Sequence, residues 1–180
     1  MFSYKIEDDL YLKLIELKDA EKIFHLIDQS RDHLRKWLGW VDMTIFEDDY
    51  KRIVEQSLVQ FAENKSIDTV IIYKDKYVGK AAFNKIDPSI KQVTLAYWLG
   101  NEYQGKGIIT KVVKSLTDYA IHEMNMNRVE IRVAKENKKS RAVPERLDFV
   151  QEGCIRRAEW LYDHYVDHTV YSMLAEDWMK

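Results

Sequence analysis

Two periods of apolar residues alternate along this chain. Residues 10–15, Leu-Tyr-Leu-Lys-Leu-Ile, repeat at every second position and predict a strand. After Asp19, placed to cap a helix, Ala20, Ile23, Phe24 and Ile27 fall at i, i+3, i+4 and i+7. A second helix over about residues 47–63 carries Ile53, Val54, Ser57, Leu58 and Phe61 on one side. Three β segments follow at 67–73, 77–84 and 92–99. The polar turn Lys74-Asp75-Lys76 joins the first two as a hairpin, and Pro88-Ser89 lies in the next turn. The helical period returns over about 107–124, with Ile109, Val112, Val113, Leu116 and Ala120 as its core-facing stripe, and Asn125 and Asn127 end it. Residues 128–133 alternate again. Asn137 can cap a short helix reaching about Leu147, and strands at about 151–159 and 166–174 close the chain. The early strands are antiparallel, whereas the strand–helix–strand unit at 92–133 reads as a right-handed parallel crossover. The pattern predicts an α/β fold: a central mixed, mostly antiparallel sheet of about seven strands flanked by helices on both faces.

The chain has 180 residues, 46% hydrophobic and 32% charged, enough to bury a substantial core. No repeat, low-complexity tract or Pro/Gly/Ser-rich linker interrupts it, so 1–180 reads as a single domain. A net charge of −2 gives no reason to expect nucleic acid or an anionic membrane as partner. The lone cysteine, Cys154, excludes an intrachain disulfide, fits a reducing compartment and reads as an inert strand residue. No signal-peptide-like run and no bilayer-length apolar stretch is present, which predicts a soluble, cytoplasmic protein. His164 and His168 are four apart, but Tyr162-Asp163-His164-Tyr165 is turn-like and places them in a hairpin rather than on one helix face. His25 and His33 have no partner pattern, so no metal site is expected.

The chemistry concentrates in Trp98-Leu99-Gly100-Asn101-Glu102-Tyr103-Gln104-Gly105-Lys106-Gly107, where a strand ends and a helix begins. Three of the six glycines lie here. A glycine turn feeding a helix aims unpaired N–H groups at one point with the positive end of the helix dipole behind them, which suits a phosphate. Gly100 to Lys106 fits the start of a nucleotide-triphosphate loop, but Gly107 stands where the magnesium-binding hydroxyl belongs. The dinucleotide fingerprint fails as well, because Thr110 replaces its last glycine. What remains is a diphosphate-bearing ligand held by main chain, or a tight turn that holds nothing.

Gln104-Gly105-Lys106-Gly107-Ile108-Ile109 resembles the Q/R-x-x-G-x-G/A pyrophosphate loop of the GNAT N-acetyltransferase superfamily, and it lies where that family places it, after the fourth strand and before the central helix. The resemblance continues through Asn127-Arg128-Val129-Glu130-Ile131-Arg132-Val133. The run Asn137-Lys138-Lys139-Ser140-Arg141-Ala142-Val143-Pro144-Glu145-Arg146-Leu147 is similar to the branch that acetylates the N-terminal serine or alanine of ribosomal proteins, as is His33-Leu34-Arg35-Lys36-Trp37-Leu38-Gly39-Trp40. The match covers about residues 10–175. It departs at Ile109, where the loop usually ends in a small residue, and at Asp148, where the family has glycine before Phe149. Aspartate tolerates left-handed φ better than most residues, so the Asp148 turn is expected to hold.

The resemblance implies the GNAT, or acyl-CoA N-acyltransferase, fold and transfer of acetyl from acetyl-CoA to an amine by direct attack in a ternary complex. It implies that the amides of Gln104, Gly105, Lys106, Gly107, Ile108 and Ile109 bind the CoA diphosphate. It implies that Tyr97, Trp98 and Leu99 splay from the neighbouring strand and lend N–H groups to the pantetheine arm and the thioester oxygen, that Asn137 contacts the cofactor, and that Ser140 protonates the leaving thiolate. Glu159, in Arg157-Ala158-Glu159-Trp160, matches the position of a proposed base, and Trp37 and Trp40 flank the acceptor cleft. Each residue has a plainer reading beside this one. Glu159 also reads as a solvated strand end, Ser140 as a helix-turn hydroxyl, Asn137 as an N-cap, the tryptophans as packing, and Lys138, Lys139 and Arg141, which could meet the 3′-phosphate of CoA, as a solvated helix face. Pro144 removes the N–H that would bond the Ser140 carbonyl. Holding an α-amine neutral at pH 7 costs about 1 kcal/mol, against roughly 4.6 for a lysine side chain, so an N-terminal acceptor asks little of its base. A small amine such as an aminoglycoside or polyamine remains the alternative acceptor, with Asp42, Glu47, Asp48 and Asp49 as acidic candidates to receive it. A CoA-binding regulator without turnover is the alternative class. The family also admits a homodimer.

Overall fold

The computed structural model describes residues 3–180, which form two compact units. The first runs to Ala82 and takes in Tyr97–Ile108; the second comprises Phe83–Ala96 and Ile109–Lys180. The strands are β1 (Ser3–Glu7), β2 (Leu10–Leu14), β3 (Ile67–Tyr73), β4 (Lys76–Asp87), β5 (Gln92–Leu99), β6 (Arg128–Ala134), β7 (Val150–Leu161) and β8 (His164–Leu174). The helices are α1 (Ala20–Gln29), α2 (Arg31–Leu34), α3 (Glu47–Ala62), α4 (Ile108–Asp118), α5 (Lys138–Arg146) and α6 (Ala175–Trp178). The sheet has eight strands, not the expected seven, in the order β1-β2-β3-β4-β5-β6-β8-β7. The additional strand is β1, antiparallel to β2 through Ser3↔Lys13 and Tyr4↔Leu12. It buries neither face fully, so its residues carry little of the contrast by which a strand is read from sequence.

In the first unit, Ala20, Ile23 and Ile27 of α1 and Tyr50 and Val54 of α3 are buried with Ile15, Val70 and Ile72 in one apolar cluster. The α1 stripe keeps the predicted Ala20, Ile23 and Ile27, but Phe24 is only half-buried and Leu26 is buried beside them. Lys74 and Asp75, at φ 50° and 60°, form the turn between β3 and β4, the left-handed geometry of a tight hairpin. Asp19 occupies the N-cap position of α1, but its side chain makes no cap bond there. A short 3-10 turn, Leu17–Asp19, runs straight into that helix, so Asp19 is already in helical conformation. Its buried carboxylate instead accepts the Glu16 N–H at 2.9 Å, Lys13 Nζ at 2.7 Å and the Tyr77 hydroxyl at 2.7 Å. Burial, then this bond to Asp19, pushes the Tyr77 hydroxyl up to about 12.

In the second unit, Val112, Val113, Leu116 and Ala120 are buried as the period predicts, but α4 stops at Asp118 and a wider turn, Tyr119–Glu123, follows. There the Met124 N–H reaches the Tyr119 carbonyl at 3.1 Å, and the Trp178 indole N–H holds Asp118 at 2.7 Å. Asn125, at φ 55°, ends the segment. β5 and β6 run parallel from Gln92↔Arg128 to Leu95↔Ile131. β5 continues to Leu99, whereas the rest of β6 stays paired with β8, Ala134 opposite His168. No helix among the described residues is long and apolar enough to cross a membrane.

One ion cluster ties β6, β7 and β8. Arg128 grips Glu152 through two bonds of 2.6 Å and also meets Glu130, while the Ser172 hydroxyl donates to Glu152 at 2.7 Å. The Arg128 bonds, then the Ser172 hydroxyl, hold the Glu152 carboxyl at about 2, below its ordinary 4.5. A carboxyl that titrates lower when folded contributes fully above pH 4.5 and loses its contribution as pH falls toward 2. Unfolding curves collected across that window should show wild type losing stability more steeply than Glu152→Gln. The difference should be modest, because the carboxylate is partly exposed.

Candidate active site

The first unit holds Trp37, Trp40, Tyr97, Trp98, Leu99 and the turn from Gln104 to Ile108; the second holds Ile109, Asn137, Ser140 and Glu159. In the first, the turn after β5 is fastened at its start. The Gly100 N–H donates to the Val78 carbonyl at 2.8 Å, and the Asn101 N–H to the Ser30 hydroxyl at 3.1 Å. A 3-10 turn over Asn101–Tyr103 follows, and then Gly105 and Gly107 take φ of 73° and 72°, the left-handed region that a side chain resists. Among the described residues no acceptor meets the amides of Gly105, Lys106 or Gly107. A Cβ built on either glycine would meet only open space, so these glycines serve backbone direction. The first-turn amides of α4 have no acceptor within the helix by construction. Such a row of donors at a helix start fits a diphosphate.

Two contacts here were not foreseen. The Gln104 side-chain Nε2 lies 2.9 Å from His33 Nε2 and donates to Asn101 Oδ1 at 3.0 Å. Lys106 Nζ sits 5.3 Å from the centre of the Tyr103 ring, so the loop lysine is held by an aromatic face. The helix stripe also begins one residue earlier than expected: Ile108 is buried, one turn before Val112, and Ile109 only half-buried. The family's small residue is thus replaced at a position that points only partly inward. Trp40 and Trp98 are half-buried, their rings 6.1 Å apart, and Trp37 is half-buried too.

The acidic residues near the tryptophans are engaged. Asp42 is bound by Arg35 at 2.7 Å, Glu47 by Lys51 at 2.8 Å and Asp49 by Arg52 at 2.8 Å, and Lys51 also meets Asp48. Asp49 accepts the Phe46 and Ile45 N–H groups at the start of α3, which together with Arg52 holds it below the usual carboxylate range.

In the second unit, Asn137 caps α5 as expected, its side-chain oxygen accepting the Ser140 N–H at 3.2 Å. Pro144 lies inside α5, so no N–H returns to the Ser140 carbonyl from that position. Arg141 is a strut, not a free cation: its Nε donates to the Tyr171 hydroxyl at 2.8 Å and Nη1 to the Lys135 carbonyl at 3.2 Å. Asp148 takes φ 58°, and the Phe149 N–H closes on the Pro144 carbonyl, so the aspartate does hold the turn at the family's glycine position.

Glu159 follows a bulge. Ile155 pairs with His168 and Glu159 with Val166, so three residues of β7 oppose Asp167 alone. The Asp167 carboxylate accepts the Arg157 N–H at 2.8 Å, with Arg157 at φ 50°. Across the bulge, Glu159 Oε2 lies 3.0 Å from His168 Nε2. Sequence reasoning placed His168 on a solvated hairpin; the hairpin is correct, but the imidazole is largely covered and paired. An unbulged register would have set His168 against Arg157, with Glu159 a diagonal neighbour on the same face. Among the described residues, no group of three or more His, Cys, Asp or Glu could hold a metal ion.

The family model for an acetyltransferase (GNAT) domain matches residues 9–150. Among curated proteins, the chain is 34% identical to "Putative ribosomal N-acetyltransferase YdaF" of Bacillus subtilis, over 99% of this chain and 98% of that one. It is 26% identical to the ribosomal-protein-serine acetyltransferase of Escherichia coli, over 96% of each. Among solved structures, the microcin C7 self-immunity acetyltransferase MccE, in complex with acetyl-CoA and AMP, superposes with a TM-score of 0.90 at 32% identity over 94% of both chains.

The Asn137 cap gives a direct test of the second unit. Asn137→Ala should lower the unfolding free energy by about 1 kcal/mol in a denaturant titration, and Asn137→Asp should restore most of it.

Proposed function

The chain belongs to the GNAT acetyltransferase family, whose model covers most of its length, and on that premise we propose that it moves the acetyl group of acetyl-CoA to the N-terminal α-amino group of a ribosomal protein. The observation that carries the reading is the turn at Gly105 and Gly107, whose backbone is held left-handed and whose amides have no acceptor among the described residues. The residues present fit the cofactor's diphosphate in kind: neutral main-chain donors at a helix start, with the lysine drawn onto Tyr103.

Acetyl-CoA supplies the activated thioester, and the chain's own groups do the rest. The amides of 104–109 hold the diphosphate. N–H groups of the β5 end at Tyr97, Trp98 and Leu99 bind the pantetheine arm and steady the thioester oxygen, a contact of the kind worth about 3 kcal/mol. Asn137 orients the pantetheine arm. The Ser140 hydroxyl lends a proton to the departing sulfur, a mild demand because a thiol ordinarily titrates near 8.5. Trp37 and Trp40 line the acceptor side, and Glu159 provides the negative charge toward which the amine proton moves.

The α-amine is favoured over a lysine or polyamine on two grounds. Freeing it at pH 7 costs about 1 kcal/mol against roughly 4.6 for a lysine. The acidic side chains that could have gathered a polycation are already matched by Arg35, Lys51 and Arg52.

Thiol release from acetyl-CoA, measured with a panel of acceptors, tests this. Peptides beginning with free serine or alanine should exceed their N-blocked, lysine-containing counterparts and spermidine by at least tenfold in kcat/KM. Spermidine or an aminoglycoside as the best acceptor would move the substrate class. Coenzyme A binding without turnover of any acceptor would leave a regulator. Gly107→Ala should weaken coenzyme A binding about tenfold by calorimetry, since a non-glycine residue at that φ costs about 1–2 kcal/mol.

A further inference from the structure

The bond between His168 Nε2 and Glu159 Oε2 joins β7 to β8 across the bulge at residues 156–158. We propose that the two form a catalytic dyad in which His168 Nδ1 takes the proton of the acceptor amine and Glu159 holds the imidazole in the tautomer that leaves Nδ1 open. The inference rests on the acetyl-transfer reading and names the atom that accepts the proton.

The geometry fixes the hydrogen. An ionised carboxylate only accepts, so the 3.0 Å bond needs the hydrogen on His168 Nε2, and the lone pair of the neutral ring then lies on Nδ1. Among the described residues Nδ1 has no partner. His168 lies opposite Ala134, whose carbonyl accepts the Asn137 N–H at 2.8 Å, so the dyad stands one strand pairing from the turn that carries Asn137 and Ser140. The charged groups placed around it are spoken for. On β6, Arg132 lies two residues from Ala134 and is bound to Glu130 at 2.7 Å; on β8, Asp167 takes the Arg157 amide and its carbonyl takes the Lys135 N–H at 2.8 Å. Arg157 of β7 stacks over Tyr165, leaving Arg156 as the other charge of the bulge.

Magnitude favours the imidazole. An α-ammonium ordinarily titrates near 7.7–8.0 and a carboxyl near 4.3, so a lone carboxylate would accept the proton against about 3.5 powers of ten. An imidazole, ordinarily near 6.5, faces only about 1.3. The step balances. The ammonium nitrogen gives one proton to Nδ1, its freed lone pair forms the bond to the acetyl carbon, and the carbon–sulfur pair leaves with sulfur. A second proton from that nitrogen ends on the thiolate, and the imidazolium returns its proton to water. Glu159 keeps its charge throughout and faces the imidazolium, the part played by the carboxylate in a nucleophile–histidine–carboxylate triad.

His168→Gln separates the roles, because glutamine still donates to Glu159 but has no basic nitrogen. With a serine-starting peptide at pH 7, kcat should fall about 100-fold, with KM for acetyl-CoA within twofold and the melting temperature near that of wild type. The deficit should shrink to less than tenfold at pH 9.5, where the amine is already neutral. A kcat within threefold of wild type beside an inactive Glu159→Gln would overturn the proposal and make Glu159 itself the acceptor; an equal loss at every pH would reduce His168 to a structural part. Independently of turnover, the 15N spectrum of the free wild-type imidazole at high pH should show His168 protonated on Nε2, and hydrogen on Nδ1 instead would sink the dyad. Wild type inert toward every acceptor would refute the acetyl-transfer reading, whereas an active wild type with an undisturbed His168→Gln would refute only the dyad.

Discussion

A backbone N–H that finds no acceptor within the fold must find one outside it. The turn after β5 is built around that constraint. Val78 and Ser30 fix its beginning, and two glycines in left-handed conformation keep the following amides from turning back onto the chain. Water can satisfy such donors, but an anion does so with the added pull of the α4 dipole. The whole functional reading descends from this arrangement, because the diphosphate is the handle by which a thioester is brought to an amine.

The second unit has a different task, which is to hold a few polar groups in place on a strand that would otherwise be free. It does this with fixed partners. Asn137 is bound to the α5 amide ladder, Arg141 to Tyr171, Arg128 to Glu152, and Asp167 to the amide of Arg157. The bulge at residues 156–158 lies between Glu159 and the residue paired with its histidine partner. A neutral-pH proton transfer from an α-amine needs a base of nearly matching affinity. A carboxylate paired with an imidazole meets that need more nearly than a carboxylate alone.

Much of this was legible in the chain. β3 and β5 fall where alternation puts them, α5 is capped by the residue that its sequence offers, and Asp148 does adopt the positive φ that glycine has in the family. What escaped has physical causes. β1 is a half-exposed edge strand without a buried face to betray it. Asp19 has the composition of a cap, but a 3-10 turn in front of α1 gave its carboxylate other work. Ile108 and Ile109 are both apolar, so the period alone could not say which one turns inward. The covered, paired state of His168 rests on a cross-strand side-chain contact, which hydrophobic spacing within one strand does not reveal. The roles of Glu159, Ser140 and the loop amides came from resemblance, since residue type alone left a solvated strand end, a helix-turn hydroxyl and a tight turn equally open.

The same irregularity in β7 governs how the molecule meets its own kind. β7 ends the sheet, and a long border strand offers a ready template on which a foreign chain can zip up its hydrogen bonds. Register shifts at Gln151/Gly153 and again over residues 156–158 break that template twice, and arginines at 156 and 157 place charge at the second break. An intruding strand would find no more than three residues in step, Gly153 to Ile155, before the rhythm fails.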